Sequence, residues 1–354
     1  MSPAPQVIET DALVIGAGPV GLFQTFQLGL LGLSVQVVDV LPHAGGQCVA
    51  LYADKPIYDI PAVPVCTGRE LTERLLTQIA PFRPTLHLGH EVQTLLPQDG
   101  GRFAVGCGAE DDAGPQFLAR SVFIAAGVGA FTPRRLKLPD LDGHPEARRQ
   151  VVYHPENLRP FAGQRVLVVG GDEAAVLRAV RLADDPQMPE VTLLHRRDQF
   201  SAAPELLARL AALRADGRLQ VKIGQVSGAH TAEGRLQAVT LLDAEGTQAE
   251  HSLDLLMVCL GLSPRLGPIV DWGLAMERKL LPIDPATFET RLPGVYAVGD
   301  INTYPGKKKL ILCGFHEATL AAHAAHARLR PQEHGPLLYT TSSAVLQQRL
   351  GLTP

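Results

Sequence analysis

The hydrophobic positions of the first forty residues predict a strand, a helix and a second strand. Ala12-Leu13-Val14-Ile15 is a continuous apolar run, which is typical of a buried strand. A helical run extends from Leu22 to about Leu31. A second apolar run, Val35 to Val38, ends at the acidic residue Asp39. We therefore expect a strand–helix–strand unit that ends at an acidic side chain.

The same order of elements recurs in the middle of the chain. Arg165 to Val169 predicts a strand, Val176 to Leu182 a helix, and Val191 to His195 the next strand. A glycine turn, Gly170-Gly171-Asp172-Glu173-Ala174-Ala175, joins the first strand to the helix. Two copies of one pattern predict two nucleotide-binding lobes.

Further periodic segments fill the remaining chain. One amphipathic helix is predicted from Gly68 to Ala80, and a helix of alanines and apolar residues from Glu317 to Leu329 is expected to pack beside the first lobe. Predicted strands are Leu86–Leu88, Glu91–Leu95, Phe103–Val105, Ser121–Ala126, several within 219–260, and Gly294–Asp300.

The glycine turn after the first strand has the spacing G-x-G-x-x-G, from Gly16 to Gly21. Gly16 allows the sharp turn, Gly18 lets the backbone approach a pyrophosphate, and Gly21 lets the helix pack closely on the sheet. The helix N-terminus presents free N–H groups to phosphates. Asp39 can accept hydrogen bonds from ribose hydroxyls. Strand, turn, helix and acid together predict a dinucleotide site.

Length and charge limit the remaining possibilities. The 354 residues suggest about two domains, and a formal charge of -4 gives no general reason to expect a nucleic-acid partner. The N-terminus lacks a basic region followed by an apolar core, so we expect no signal peptide. No uncharged apolar run reaches the ~18 residues that span a bilayer. We therefore predict a cytoplasmic protein without a membrane segment.

Cysteine and histidine spacing argues against disulfides and metal sites. The five cysteines are scattered, with no pair at C-x-x-C spacing. The twelve histidines show no metal-ligand spacing; His323 and His326 lie three apart but lack a third partner. We expect buried thiols, surface histidines and no metal site.

Several motifs across nearly the whole chain resemble the flavoprotein reductases with two dinucleotide-binding domains. Among these, the chain is most similar to the thioredoxin-reductase-like ferredoxin/flavodoxin–NADP(+) reductases. The motifs are GAGPVG from Gly16, GGQ from Gly45, LYADKPIYDIP from Leu51, AAGVGAFTPR from Ala125, HRRDQF from His195 and VGDINTYPGKKKLILCGFHEA from Val298.

The resemblance implies a fold and a domain plan. The fold is α/β, with two Rossmann-like dinucleotide-binding domains, one for FAD and one for NAD(P), joined by a β-sheet crossover. The FAD domain is expected to be discontinuous, at 1–127 and 285–354, and an NADP(H) domain is expected at 128–284.

The resemblance also implies an FAD site. Asp39 is expected on the adenosine ribose, Asp300 near the ribityl chain or pyrophosphate, and Tyr52 over one flavin face. Tyr339 is expected over the other face, where it would act as a gate, with the Thr341 hydroxyl beside it. The remaining FAD residues are Gly16, Gly18, Pro19, Val20, Gly21, Gly46, Gln47, Val92 and Phe131.

A redox-active dithiol is absent from both places where related reductases carry one. The stretch 151–157 has no C-x-x-C, and no second cysteine follows closely on Cys48. The resemblance therefore implies hydride transfer between NADP(H) and FAD, then single-electron exchange with ferredoxin or flavodoxin. Family members are homodimers in which the tail can reach the partner's flavin.

The second glycine turn departs from the family pattern. Only Gly170 and Gly171 precede Asp172, where the family has three consecutive glycines. Either the loop is one glycine short, or Asp172 occupies the second essential glycine position. In the latter case its carboxylate repels a pyrophosphate, and we expect weak or altered NADP(H) binding.

Two arginines nevertheless favour NADP over NAD. His195-Arg196-Arg197 ends the next strand, where an NAD site carries an acid, and arginines there suit the adenosine 2′-phosphate. Ser201 stands where the family often has a further arginine, so fewer positive charges are expected at the 2′-phosphate. Basic clusters at 134–137, 148–149 and above all Lys307–Lys309 are candidate docking surfaces for an acidic electron carrier.

Other functions remain open at this stage. The chain could reduce another acceptor, such as a low-molecular-weight disulfide or a quinone. It could instead be an FAD-containing redox partner or sensor whose second glycine turn no longer takes NADP(H). A non-enzymatic structural descendant is the third alternative, which the intact FAD motifs disfavour.

Overall fold

The computed structural model describes residues 7–108, 114–155, 157–333 and 335–352. Within these ranges the chain forms two compact units. Unit 1 comprises the described residues up to Phe131 together with those from Pro264 onward, and unit 2 comprises Thr132–Ser263.

The helices and strands are named in chain order. The helices are α1 Pro19–Leu30, α2 Gly46–Tyr52, α3 Gly68–Ile79, α4 Pro145–Arg149, α5 Glu173–Asp184, α6 Pro204–Ala215, α7 Ile311–Leu329 and α8 Ala344–Arg349. The strands are β1 Val7–Ile15, β2 Val35–Asp39, β3 Pro56–Ile57, β4 Cys66–Thr67, β5 Thr85–Leu88, β6 Glu91–Gln98, β7 Arg102–Gly108, β8 Gln116–Ile124, β9 Ala130–Pro133, β10 Val151–Tyr153, β11 Arg165–Val169, β12 Glu190–His195, β13 Gln220–Ile223, β14 Gln225–Ala232, β15 Arg235–Leu242, β16 Gln248–Ser252, β17 Leu255–Val258, β18 Leu262–Arg265, β19 Leu281–Pro282, β20 Val295–Ala297 and β21 Asn302–Thr303.

The main sheet of unit 1 has the order β5-β2-β1-β8-β7-β6, and β20 also pairs with β8. The strands β5, β2, β1, β8 and β20 are parallel, whereas β7 and β6 continue antiparallel. Strand order reverses between β1 and β8. In open α/β sheets, ligands bind in the crevice at such a switch point, beyond the carboxyl ends of the strands.

Alternate residues of β1 enter two different cores. Ala12 and Val14 pack in a cluster with residues of α1, α3 and α7, whereas Leu13 and Ile15 pack in a second cluster on the other face. The continuous apolar run of this strand is therefore explained by burial on both faces of the sheet.

Unit 2 repeats this plan at smaller size. Its parallel sheet has the order β10-β17-β11-β12-β13, with the switch point between β11 and β17. A separate antiparallel sheet has the order β14-β15-β16. Val166 and Val168 face α5 and α6, whereas Leu167 and Val169 share a cluster with β15.

Both predicted strand–helix–strand units are confirmed, as β1-α1-β2 and β11-α5-β12. The predicted start of the last long helix was wrong: α7 begins at Ile311, six residues before Glu317. Its N-cap residue, Leu310, has no capping side chain, so the usual sequence signal for a helix start is missing. The short helix α2 was not predicted.

Candidate functional site

The first glycine turn leaves no room for side chains at two of its glycines. Gly16 has φ +112°, and a Cβ there would lie 2.5 Å from the carbonyl oxygen of Ala125. A Cβ on Gly21 would lie 1.8 Å from the carbonyl oxygen of Gly16. These contacts explain why glycine is required for the sharp turn and for the close packing of α1 on the sheet.

The space beside Gly18 is open, which is what a ligand approaching the backbone requires. The nearest atom to a Cβ built on Gly18 is the Cα of Gly46, at 3.9 Å. Gly18 is the N-cap of α1 and contributes no side chain to that helix end. The N-terminal N–H groups of α1 are therefore free of side-chain caps, and the turn fits a pyrophosphate.

Asp39 ends β2 beside this turn and is almost completely buried. Its carboxylate accepts hydrogen bonds from the backbone N–H of Ala17, at 2.6 Å, and of Leu41, at 2.8 Å. Burial raises the pKa of Asp39, while the two N–H donors act in the opposite direction. Each oxygen keeps a second lone pair, so the carboxylate can also accept from a ribose hydroxyl.

A cavity of about 310 Å³ opens at this edge of the unit 1 sheet. Its walls come from the carboxyl ends of β1, β2 and β8 and from the turn after β20. The predicted FAD residues that line it are Gly16, Gly18, Pro19, Val20, Asp39, Gly46, Gln47, Tyr52, Val92, Phe131 and Asp300. Gly21 lies behind the wall, against Gly16.

Other lining residues were missed in the sequence. His90, Glu91, Trp272 and Lys309 also border the cavity. Trp272 is the single tryptophan of the chain, and its indole N–H donates to the carbonyl of Gln93 at 3.0 Å. A lone tryptophan in a short irregular segment is a usable signal for a site, because large aromatic side chains often line ligand pockets.

Tyr52 and Cys48 lie one helical turn apart on α2, and both border the cavity. The phenol oxygen of Tyr52 is 3.4 Å from the sulfur of Cys48. Burial raises the pKa of both groups above their usual values. The thiol and the phenol therefore stay protonated at neutral pH.

The turn that carries Asp300 is held by a buried ion pair. Glu317 of α7 is fully buried and accepts from the N–H of Gly299 at 2.7 Å and from Lys307 Nζ at 2.5 Å. The Lys307 ammonium also donates to the carbonyl oxygen of Gly299 at 2.8 Å.

Lys307 is therefore not a docking residue. Only 8% of its side chain is exposed, so the prediction that Lys307 belongs to a basic docking surface was wrong. Lys308 and Lys309 are exposed. Arg148 and Arg149 pair with Asp142 and Glu146, so that cluster is largely neutralised within the chain.

The two tail residues predicted at the flavin are not among the lining residues of the cavity. Tyr339 is 63% exposed, and Thr341 is also exposed. Helix α8 is anchored at the C-terminal end of α1, where Arg349 Nη1 donates to the carbonyl of Leu30 at 2.5 Å. The cavity lies at the opposite, N-terminal end of α1.

The second glycine turn, in unit 2, joins β11 to α5. Gly170 has φ +154°, and a Cβ there would lie 2.1 Å from the carbonyl oxygen of Cys259. A Cβ on Gly171 would lie 2.4 Å from the His195 ring, so this ring covers the turn. Asp172 is the N-cap of α5 and accepts from the N–H of Ala175 at 3.0 Å.

The predicted 2′-phosphate residues lie at the end of β12. Arg196 and Arg197 are exposed, and neither forms an ion pair with any carboxylate of the described residues. Burial and these two arginines lower the pKa of His195, so its ring is neutral at pH 7. The N–H of Ser201 donates to the carbonyl of Gly171 at 2.9 Å, which places Ser201 beside the turn.

All five cysteines are free thiols. Among residues with described positions, His, Cys, Asp and Glu do not gather in groups of three that could hold a metal ion. Within the same ranges, no helix combines the length and the apolar character needed to cross a membrane.

Residues 10–327 match the sequence pattern of the pyridine nucleotide-disulphide oxidoreductases. The chain belongs to this family. It is 58% identical to a ferredoxin–NADP reductase of Acidovorax sp. (strain JS42), across 100% of this chain and 98% of that protein. It is 59% identical to a ferredoxin–NADP reductase of Leptothrix cholodnii, across 98% of this chain and 92% of that protein.

Solved structures show the same fold at low sequence identity. Thioredoxin reductase from T. acidophilum has a TM-score of 0.58 at 20% identity, covering 91% of this chain and 99% of that one. Bacillithiol disulfide reductase from Staphylococcus aureus has a TM-score of 0.61 at 16% identity, covering 93% of this chain and 100% of that one.

These findings confirm the family resemblance and the predicted fold class, α/β with two Rossmann-like domains. They also confirm the prediction of an oxidoreductase that uses a pyridine nucleotide.

Proposed function

We propose that this chain is an FAD-dependent ferredoxin–NADP reductase, which moves electrons between NADP(H) and ferredoxin or flavodoxin. The observation that carries the proposal is the unit 1 cavity, which is built on an open glycine turn and bordered by a single cysteine, Cys48. Relatives that bear the name ferredoxin–NADP reductase match the chain over nearly its whole length, which supports the same acceptor here.

The cavity residues divide into three roles along a bound FAD. The first glycine turn takes the pyrophosphate at the N-terminus of α1, and Asp39 takes the adenosine ribose. Asp300 takes the ribityl region, because the Lys307–Glu317 pair holds its turn against the cavity. Gln47, Val92 and Phe131 complete the walls.

When bound, FAD supplies the chemistry of accepting a hydride from the nicotinamide and releasing electrons singly. The side chains of the protein would hold the flavin in position. Tyr52 borders the cavity from α2 and would pack against one face of the flavin, where its protonated phenol would add no charge. No general acid or base is required of the side chains.

The tail is proposed to act on a second copy of the chain in a homodimer. Tyr339 and Thr341 are exposed, and their own tail is fixed to the end of α1 that lies away from the cavity. Leu337 and Leu338 are also exposed beside them. This arrangement suits a tail that covers the partner's flavin and moves aside for nicotinamide.

The remaining assignment concerns NADP(H) and the domain plan. We assign NADP(H) to unit 2, with Gly170 and Gly171 at the turn and His195, Arg196 and Arg197 at the adenosine 2′-phosphate. We assign the FAD domain to unit 1 and the NADP(H) domain to unit 2. The bounds expected from the sequence, 1–127 with 285–354 and 128–284, leave Phe131 and Trp272 outside the FAD domain, although both border the cavity. Five free thiols suit a reducing compartment, and we place the protein in the cytoplasm.

Stopped-flow mixing tests this function directly. We expect the yellow holoenzyme to bleach with NADPH and to recover its absorbance with oxidised ferredoxin or flavodoxin, but not with low-molecular-weight disulfides. Recovery with a disulfide or a quinone alone would transfer the assignment to another acceptor. A purified protein that contains no extractable FAD would refute the flavin assignment altogether.

One alternative is favoured by a specific observation. The carboxylate of Asp172 caps α5 where a second dinucleotide would place its phosphates, which suits an FAD-containing sensor that no longer takes NADP(H). Holoenzyme that fails to bleach at millimolar NADPH or NADH would select this alternative.

A further inference from the structure

The two glycine turns of this chain have the same backbone course. Gly16 and Gly170 both have positive φ, +112° and +154°. The N–H of Gly16 donates to the carbonyl of Val38 at 2.8 Å, and that of Gly170 donates to the carbonyl of Leu194 at 3.0 Å. In each case the acceptor belongs to the neighbouring parallel strand. The two turns can therefore be compared position by position.

Asp172 stands where the first turn has Gly18. Both residues are the N-cap of the following helix, with φ/ψ of -89°/174° for Asp172 and -71°/177° for Gly18. The first helical hydrogen bonds also correspond, from Leu22 to Gly18 at 2.9 Å and from Val176 to Asp172 at 3.0 Å. The loop is therefore not shortened; it carries a carboxylate at the second glycine position.

That carboxylate occupies the place of a ligand. Its Oδ1 accepts from the N–H of Ala175, one of the free donors at the N-terminus of α5. Its Oδ2 lies 3.8 Å from the position that a Cβ on Gly261 would take, beyond the carboxyl end of β17. The side chain therefore extends across the crevice between β11 and β17, where a dinucleotide places its pyrophosphate.

We propose that Asp172 closes the pyrophosphate subsite of unit 2, so that nucleotide recognition there rests on the adenosine 2′-phosphate. This inference rests on the proposed use of NADP(H). The negative charge repels phosphates, and the capping bond removes a donor that would bind them. Arg196 and Arg197 keep their guanidinium groups exposed at the end of β12 for the 2′-phosphate.

Two consequences follow for the intact enzyme. Adenosine 2′,5′-bisphosphate, which lacks the second phosphate and the nicotinamide, binds with nearly the affinity of NADP+. NAD+ lacks the 2′-phosphate and finds the pyrophosphate subsite closed, so it binds far more weakly than NADP+. Asp172 thus lowers the affinity for every dinucleotide, and the 2′-phosphate alone decides between NADP+ and NAD+.

Calorimetric titration of the oxidised holoenzyme with these three nucleotides tests the inference. In the wild type, adenosine 2′,5′-bisphosphate and NADP+ are expected to differ by less than about tenfold in Kd. In Asp172→Gly, NADP+ and NAD+ bind about tenfold more tightly, whereas the bisphosphate gains less, because its single 5′-phosphate reaches only part of the opened subsite.

Two further variants separate the effect of the Asp172 charge on NADP+ affinity from the effect of losing its capping hydrogen bond. Asp172→Ser keeps a capping side chain but removes the charge, so it is expected to give an intermediate gain in NADP+ affinity even if Asp172→Gly folds poorly. Glu173→Gln removes a neighbouring exposed charge and is the matched control, with little expected change.

The outcomes distinguish failure of the closed subsite from failure of the proposed use of NADP(H). NADP+ affinity that is equal in the wild type, Asp172→Gly and Asp172→Ser would overturn the closed subsite alone. Equal gains in Glu173→Gln and Asp172→Gly would also overturn it, because the effect would then be general charge repulsion. If no variant binds any of the nucleotides while FAD is retained, the proposed use of NADP(H) fails as well.

Discussion

At the scale of single residues, Asp39 has a structural role besides the ligand-binding role proposed for it. Its two carboxylate oxygens accept from the N–H groups of Ala17 and Leu41, in a place that water scarcely reaches. Buried backbone donors need such partners, because leaving one without an acceptor costs about 1–3 kcal/mol. The acid therefore shapes the turn before any cofactor binds.

Replacing Asp39 with Asn tests this role. The amide turns an N–H2 group toward one of the two donors, so we expect a loss of about 1–3 kcal/mol in the free energy of unfolding, even without FAD. Urea unfolding of the apoprotein measures it. Asp54→Asn, at an exposed ion pair with Arg69, is the control and is expected to change stability by less than about 0.5 kcal/mol. Equal stability of the two variants would contradict the structural role.

The residues at the first turn could be predicted from the sequence because their roles are local. Gly16, Gly21 and Asp39 act through backbone geometry within one strand–helix–strand unit. Lys307 could not be predicted in the same way. It stands in a run of three lysines, which normally indicates side chains exposed to solvent. Its partner Glu317 is ten residues further along the chain, on a helix that packs back against it.

At the scale of elements, the start of β11 is fastened to the start of β17. Asp254 accepts from the backbone N–H of Arg165 at 2.8 Å, from its Nε at 3.1 Å and from its Nη2 at 2.8 Å. Both side chains are about two-fifths exposed, at 38% and 40%, so solvent screens the pair. Its contribution to stability is therefore modest despite the good geometry.

The pH dependence of Asp254→Asn tests the strength of this link. The Arg165 guanidinium lowers the pKa of Asp254 below its ordinary value of 3.8. A lowered pKa in the folded state adds stability above 3.8, and that stability is lost as the pH falls through the lowered pKa. We expect the variant to be less stable by about 1 kcal/mol at pH 7, with the difference shrinking below pH 4.

Denaturant unfolding at a series of pH values measures this difference. Asp198→Asn, which breaks an exposed pair with Arg214 on α6, is the matched control and is expected to have little effect at any pH. A stability difference for Asp254→Asn that persists unchanged to the lowest pH at which the protein folds would argue against the ion pair.

Element type was predictable wherever periodicity was strong. Strands β1 and β11 contain the unbroken apolar runs Ala12–Ile15 and Val166–Val169, because both faces of each run are buried. Helix α2 was missed because it has seven residues, starts with Gly46 and depends on contacts with α3. Such short helices are stabilised by tertiary packing rather than by their own sequence.

At the scale of the whole molecule, four of the five thiols lie in the interior. Cys48, Cys66, Cys107 and Cys259 are buried, and Cys313 is half-buried. Burial raises the pKa of Cys107 to about 12 and that of Cys259 to about 11. The thiolate is the reactive form, so Cys107 and Cys259 are not expected to take part in disulfide exchange at neutral pH.

Thiol titration of the native holoenzyme at pH 8 tests this distribution. We expect one thiol, Cys313, to react with an aromatic disulfide reagent, and all five to react after denaturation. Reduction with NADPH is expected to release no additional thiol. The variant Cys313→Ser, as control, removes the fast phase. A second thiol that appears on reduction would reveal a sulfur relay and would redirect the assignment toward disulfide reductases.

The ion pair beneath the Asp300 turn has a consequence for how sequence change can proceed in this fold. Lys307 and Glu317 form an ion pair away from water, with Lys307 beside that turn and Glu317 on α7. Loss of either partner leaves an unpaired charge in the interior, which costs about 3–5 kcal/mol of stability. Replacing both with apolar side chains of similar size costs far less stability. Sequences that evolve from this chain are therefore expected to keep both residues or to replace both.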